Sequence, residues 1–139
     1  MISGVVLDAW AVLALLRGER PAAQTVRRYL RRAHTGTTRV MLNLINFGEV
    51  YYRMTQIAGA KRAGEGLNLL RSLPIELIQV REALVLGAAR LKAVHRLSYA
   101  DAFAVATARS EKAPVLTGDP EIIALPQDVV SVRRLTRQP

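Results

Sequence analysis

The sequence of 139 residues contains no cysteine and only two histidines, His34 and His95. Without cysteine, the chain cannot carry a disulfide scaffold, a zinc site built on thiolates or a cysteine nucleophile. The two histidines are too few and too far apart in the sequence to indicate a histidine-based metal site. A metal site, if there is one, must rest on oxygen ligands.

Long apolar segments are absent as well. The longest uninterrupted apolar run covers residues 9–16, which is far short of the roughly 20 residues that span a bilayer as a helix. Asp8 lies where a signal peptide would have its apolar stretch. We therefore expect a cytoplasmic protein that makes no contact with membranes.

Positive charge, in contrast, is abundant. Twenty lysine and arginine residues against eleven acidic residues give a net charge of +9, and only Lys61, Lys92 and Lys112 are lysines. The planar arginine side chain makes fork-shaped contacts to phosphate that lysine cannot make. The composition favours a nucleic acid or an acidic protein as the partner, although a solvated basic surface is the simpler alternative.

Short apolar segments alternate with helical segments along the chain, which is typical of an α/β domain around a mostly parallel sheet. No repeat or linker divides the sequence, so we predict a single domain over residues 1–139, with a mobile tail from 133 to 139. The predicted strands cover residues 5–7, 38–42, 75–80, 114–117 and, at the sheet edge, 129–132.

Four acidic residues lie in apolar surroundings. Asp8 and Asp119 follow predicted buried strands, at the end where ligands bind in open parallel sheets. Asp101 begins a helix of small apolar residues, and Glu49 lies among aromatic and apolar residues. The positions of these four residues set them apart from the other acids, which lie among polar neighbours or at helix starts.

Taken singly, these acids are explained by helix capping. The two acids that follow strands can each cap the next helix. Asp101 can complete a cap begun by Ser98, and Glu49 can pair with Asn46. Taken together at one end of a sheet, the acids would repel one another unless a cation lies between them. Carboxylates without histidine or cysteine favour Mg²⁺ or Mn²⁺, and in a protein of net charge +9 such a site predicts a nucleic-acid backbone as substrate.

The segments that carry the acids resemble the four acidic motifs of the PIN-domain ribonucleases, in the same order. They are VVLD ending at Asp8, NFGEV around Glu49, LSYADA around Asp101 and LTGD ending at Asp119. The resemblance covers essentially the whole chain. A stand-alone PIN domain of this length is most similar to the VapC toxins of prokaryotic type II toxin–antitoxin systems. It implies a PIN-like fold with three α/β/α layers around a short, mostly parallel sheet.

The resemblance also implies roles for individual residues. Asp8 and Asp101 match the ligands of the principal Mg²⁺, for which Mn²⁺ is a substitute, and Asp119 matches a further ligand. Glu49 matches the acid that completes the catalytic set by orienting water or helping a second ion. Thr117 matches a hydroxyl that positions water or substrate. One position departs from the family, because Trp10 stands where serine or threonine is frequent.

The implied partners are an RNA substrate, a cognate antitoxin that inhibits the enzyme, and a second copy of the chain in a homodimer. Four arginines on the second predicted helix are candidates for contacts to RNA phosphates, although a solvated helix face explains them equally well; they are Arg27, Arg28, Arg31 and Arg32. Three tyrosines are expected in the core rather than stacked on bases: Tyr51, Tyr52 and Tyr99.

Other enzyme classes fit less well. A phosphatase of the HAD type needs a second Asp at the position of Trp10, a response-regulator receiver needs adjacent acids after its first strand, and no P-loop motif occurs. Two alternatives stay open. One is a PIN nuclease of RNA maturation, and the other is a catalytically silent RNA-binding module whose acids only cap helices.

Overall fold

A computed structural model describes residues 2–138, and a five-stranded sheet lies at its centre. The strands are β1 (Ser3–Leu7), β2 (Thr38–Asn43), β3 (Glu76–Ile78), β4 (Val115–Thr117) and β5 (Val132–Arg134). They lie in the order β3-β2-β1-β4-β5, and every pairing is parallel. The predicted α/β class is confirmed.

Helices cover both faces of this sheet. They are α1 (Ala9–Arg17), α2 (Ala22–His34), α3 (Leu44–Ala58), α4 (Ala60–Ser72), α5 (Glu82–Val94), α6 (Tyr99–Glu111) and α7 (Pro120–Ile123). The first four helices share one core cluster with Val5 and Leu7, and the last three share another with Val6 and Met41. The predicted three-layer arrangement is therefore confirmed. Within residues 2–138, no helix combines the length and apolarity needed to cross a bilayer.

The central strand shows why the sequence forms this sheet. Successive side chains of a strand point to opposite faces, so a strand covered on both faces must be apolar at every position. Val5, Val6 and Leu7 are each at most 1% exposed. After α1, Gly18 adopts a left-handed backbone with φ of 64°, which glycine accepts without steric cost, and the chain turns back towards α2.

The structure corrects the last predicted strand and the predicted tail. Residues 127–129 form a turn, in which the Val129 N–H donates to the Pro126 carbonyl, and β5 begins only at Val132. Beyond β5, the Leu135 N–H donates to the Thr117 carbonyl and the Gln138 N–H to the Arg20 carbonyl. Residues 133–138 are thus bonded to the rest of the fold instead of trailing from it, and position 139 lies outside the described residues.

Candidate metal centre

Three of the four predicted acids meet at the carboxyl edge of the sheet. Asp8 directly follows β1, and Asp119 follows β4, which is the neighbour of β1 in the sheet. Asp101 lies in the first turn of α6, which packs against β1. One carboxylate oxygen from each residue lies within 4.8 Å of the other two. We call Asp8, Asp101 and Asp119 the acid triad.

Thr117 connects two members of the triad. Its hydroxyl donates a hydrogen bond to Asp8 Oδ2 and accepts one of 2.9 Å from the Asp119 backbone N–H. The other oxygen of Asp8, Oδ1, accepts the Ala11 N–H at 2.9 Å and caps α1. Asp8 is therefore held at both oxygens, and Thr117, which is fully buried, fixes Asp8 relative to Asp119.

The capping interpretation is correct for part of the triad. Asp119 Oδ1 accepts the Glu121 N–H at 2.9 Å and caps α7. Ser98 caps α6 by accepting the Asp101 N–H at 3.1 Å. Capping accounts for the backbone conformation at these positions, but it does not require the carboxylates to converge. Their convergence is a separate feature that needs its own explanation.

The electrostatics of the triad are unfavourable without a cation. Burial is the main cause that raises the pKa of Asp8 to about 7, and the charge of Asp119 adds to it, while hydrogen bonds from Thr117 and Ala11 partly offset the increase. Burial likewise raises the pKa of Asp101 to about 8, with further contributions from Asp119 and Asp8. No lysine, arginine or histidine within residues 2–138 forms an ion pair with the triad.

The donor set fits a hard divalent cation. Mg²⁺ and Mn²⁺ prefer carboxylate oxygen ligands, and Mg²⁺ is usually bound through few carboxylates while it keeps several waters. The triad offers three such oxygens close enough to share one ion. A bound cation would also offset the repulsion and the burial that raise the two pKa values.

Glu49 lies outside the triad, on α3. Its Oε2 accepts a 2.8 Å hydrogen bond from Arg53 Nε, whereas its buried Oε1 has no hydrogen-bond partner within residues 2–138. The predicted cap by Asn46 is wrong, because Asn43 caps α3. The Asn46 side chain instead donates to the Ala100 carbonyl at 2.9 Å. This bond ties the face of α3 that carries Glu49, three residues further on, to the start of α6.

The four predicted phosphate-binding arginines are exposed on α2 and are not brought to the triad as a group. Arg31 and Arg32 lie in the last turn of α2, and the chain then enters the start of β2. Because the strands are parallel, the start of β2 lies at the edge opposite to the triad. Arg27 and Arg31 line an apolar groove between α1, α2 and α4.

The tyrosines differ from expectation. Tyr51, Tyr52 and Tyr99 are 42%, 49% and 46% exposed, so they do not belong to the core. Tyr99 contacts Phe103 edge to face with ring centroids 5.0 Å apart. It lies in the first turn of α6, as Asp101 does.

Two residues that the sequence did not single out, Gly118 and Arg137, contact Trp10. A Cβ atom on Gly118 would lie 2.4 Å from the Trp10 ring, so the indole rests directly on the Gly118 backbone. The Arg137 guanidinium also contacts this indole and lies over it, 5.1 Å from the Trp10 ring centroid. The Trp–Gly pairing had a signal in the sequence, namely the departure from the family at position 10. Arg137 had none, since it lay in the segment predicted to be mobile.

Comparison with known proteins gives a family. The sequence profile of the PIN domain matches residues 5–127. A search of curated protein sequences finds no match.

Solved structures with a similar fold have low sequence identity. VapBC2 from Rickettsia felis, bound to a DNA fragment from its promoter, has a TM-score of 0.74 at 13% identity, over 96% of this chain and 99% of that one. VapC20 from Mycobacterium tuberculosis, described as a sarcin–ricin loop cleaving toxin, has a TM-score of 0.70 at 18% identity, over 86% and 93%. VapBC-5 from the same organism has a TM-score of 0.63 at 20% identity, over 96% and 99%. The predicted fold is confirmed.

Proposed function

Since the chain belongs to the PIN domain family, we propose that it is a metal-dependent endoribonuclease and the toxin of a type II toxin–antitoxin system. The observation that carries this proposal is the acid triad, in which three carboxylates approach within 4.8 Å in the absence of a neutralising side chain among residues 2–138. A cluster of three carboxylates is unfavourable as a purely structural feature, because each buried charge costs roughly several kcal/mol of stability. Binding of a divalent cation offsets this cost and explains why the three carboxylates converge.

Asp8, Asp101 and Asp119 are the residues that would hold Mg²⁺, with Mn²⁺ as a substitute. When bound, such an ion polarises a phosphate oxygen and makes water more acidic, so that water can attack the phosphodiester. Thr117 keeps Asp8 and Asp119 in register through its two hydrogen bonds. Glu49 supplies the unpartnered Oε1, which is suited to accept a hydrogen bond from the attacking water and to orient it.

The charge of the chain supports a nucleic-acid substrate. Its net charge of +9 attracts a polyanion, whereas the triad itself repels one until a cation binds. Exposed Tyr99, which shares the first turn of α6 with Asp101, offers a ring on which an unpaired base can stack. We propose single-stranded RNA as the substrate, with Arg27, Arg28, Arg31 and Arg32 contacting more distant phosphates if the RNA extends over α2.

The toxin assignment is supported by the similar solved structures, which include a toxin–antitoxin complex from Klebsiella pneumoniae and a member of the VapBC family of toxin–antitoxin systems from Mycobacterium tuberculosis. We propose that this chain acts in the cytoplasm, forms a homodimer and is inhibited by a cognate antitoxin that places a basic side chain over the triad. The partner is expected from a short reading frame beside the gene. If the purified complex with that partner cleaves RNA as fast as the free chain, the inhibition proposal is wrong.

The nuclease is tested by cleavage of a labelled RNA with wild type and Asp101→Asn, each with Mg²⁺, Mn²⁺ or EDTA. Asp128→Asn is the matched control, because Asp128 is exposed and lies outside the four acidic motifs. We expect cleavage that requires the metal, yields 5′-phosphate and 3′-hydroxyl ends, survives in the control and disappears in Asp101→Asn. Binding without cleavage under every condition would refute the nuclease and favour a silent RNA-binding module.

A further inference from the structure

The segment 135–138 runs along the edge of the sheet that carries the acid triad. It begins where the Leu135 N–H donates to the Thr117 carbonyl at 2.8 Å. It ends where the Gln138 N–H donates to the Arg20 carbonyl at 2.9 Å, just before α2. Between these bonds the Thr136 carbonyl accepts the Ala22 N–H at 3.0 Å. The segment therefore passes from β4, beside the triad, to the start of α2.

Arg137, within this segment, is held by two side chains. Its guanidinium lies 5.1 Å from the Trp10 ring centroid, and its Nη1 donates to Glu19 Oε1 at 3.2 Å. Trp10 follows Asp8 by two residues, and its ring rests on Gly118, the residue before Asp119. The Trp10 side chain is thus the link between the guanidinium and the strand ends that present the triad.

The guanidinium of Arg137 still has donors to offer. Glu19 engages one of its three nitrogens, while the others have N–H groups in the plane of the fork, the geometry that matches phosphate. The side chain is 48% exposed, so a ligand can reach it. Because Trp10 and Glu19 already order the side chain, it loses little conformational freedom when it binds an anion.

We propose that Arg137 binds an RNA phosphate adjacent to the scissile one and that Trp10 is the platform that orients its guanidinium. This proposal rests on the proposed ribonuclease function. It assigns a phosphate contact at the triad's edge of the sheet to the C-terminal segment, whereas α2 carries its last two arginines to the opposite edge of the sheet. It also gives Trp10, which stands in place of the usual hydroxyl residue, a role in substrate binding.

The test compares arginine variants in an Asp101→Asn background, which keeps RNA intact during the measurement. The affinity for a labelled single-stranded oligoribonucleotide is measured by fluorescence anisotropy at several salt concentrations. Arg90→Ala is the matched control, since Arg90 is exposed on α5 and makes no ion pair or side-chain hydrogen bond within residues 2–138. We expect Arg137→Ala to weaken binding about tenfold, the effect of one charge-assisted hydrogen bond. The slope of log affinity against log salt should lose about 0.7, the value for one phosphate contact to a single strand.

Metal affinity and kinetics distinguish a contact to RNA from a purely structural role of Arg137. In the otherwise wild-type chain, Arg137→Ala should leave the Mn²⁺ affinity and kcat unchanged while KM for RNA rises, and Arg137→Lys should restore part of the loss. If Mn²⁺ affinity falls as much as RNA affinity does, Arg137 only supports the triad and the proposal is overturned.

Failure of this proposal is distinguishable from failure of the proposed function. If RNA binds and is cut, but Arg137→Ala and Arg90→Ala behave alike, only the Arg137 contact is refuted. If the wild-type chain neither binds nor cuts RNA, the ribonuclease function itself is refuted, and the Arg137 contact falls with it.

Discussion

The buried triad makes the stability of the metal-free protein depend on pH. Asp8 is 1% exposed, and burial raises its pKa from 3.8 to about 7. The native chain therefore keeps a proton on Asp8 at pH values where the unfolded chain has lost it. The stability linked to this proton is fully present below the unfolded pKa of 3.8 and is lost as the pH rises through about 7. The difference between the two pKa values corresponds to ~4 kcal/mol.

Asp8→Asn isolates this effect. Asparagine keeps the shape of the side chain and an oxygen for the Ala11 N–H, but it carries no charge at any pH. The free energy of unfolding is measured by urea denaturation in EDTA between about pH 5 and about pH 8. Wild type should lose about 3 kcal/mol more stability over this range than Asp8→Asn does, because only the span from about pH 5 to about pH 7 lies between the two pKa values. Asp128→Asn, an exchange at an exposed site, should follow wild type.

Added Mg²⁺ should restore the stability of wild type at about pH 8, because an ion that binds only the native state stabilises it. It should have a much smaller effect on Asp8→Asn. If wild type and Asp8→Asn show the same pH dependence in EDTA, the carboxyl of Asp8 is not the buried titrating group described above, and the electrostatic basis of the metal site is wrong.

Three further predictions concern the surroundings of the triad. Thr117→Val should weaken Mn²⁺ binding about tenfold in a calorimetric titration, because Asp8 loses a hydrogen bond that fixes it, and Thr117→Ser should retain most of the affinity; equal affinities for all three chains would contradict this. Gly118→Ala should cost about 1–3 kcal/mol of stability by urea denaturation, since its Cβ would lie 2.4 Å from the Trp10 ring, and the cost should disappear in a Trp10→Ala background. Glu49→Gln should lower kcat for RNA cleavage at least tenfold with little change in Mn²⁺ affinity, since it lies outside the triad; a parallel loss of Mn²⁺ binding would show that Glu49 is a ligand.

The central strands and the triad could be predicted because local sequence determines them. A run of apolar residues covered on both faces marks β1, and an acid at the end of such a strand must lie at the carboxyl edge. The end of β3 was less well predicted, as Val80 resumes the apolar pattern after Gln79 but lies beyond Ile78, where the pairing with Asn43 ends. Pairing partners, rather than the strand's own residues, decide where a short strand stops.

The course of the C-terminal segment could not be predicted from local pattern. It is rich in arginine, which is typical of a solvated tail, yet Leu135 is 3% exposed and its N–H bonds to Thr117. These contacts join residues that are far apart in the chain. The placement of Arg137 over Trp10 has the same origin, because neither residue has a local feature that identifies the other as its partner.

The position of the arginine run illustrates a further limit. The helical spacing correctly predicted that Arg27, Arg28, Arg31 and Arg32 are exposed on one helix. It gave no information on how that helix lies relative to the triad, which depends on the packing of α2 against α1 and β2.

The central claim is that the triad holds a divalent cation, and anomalous scattering from crystals soaked in Mn²⁺ tests it most directly. We expect a peak with Asp8, Asp101 and Asp119 oxygens at coordination distances of roughly 2.0–2.2 Å, and no peak at this position in crystals of Asp101→Asn. Mn²⁺ bound elsewhere in wild type, with the three carboxylates free of metal, would contradict the account.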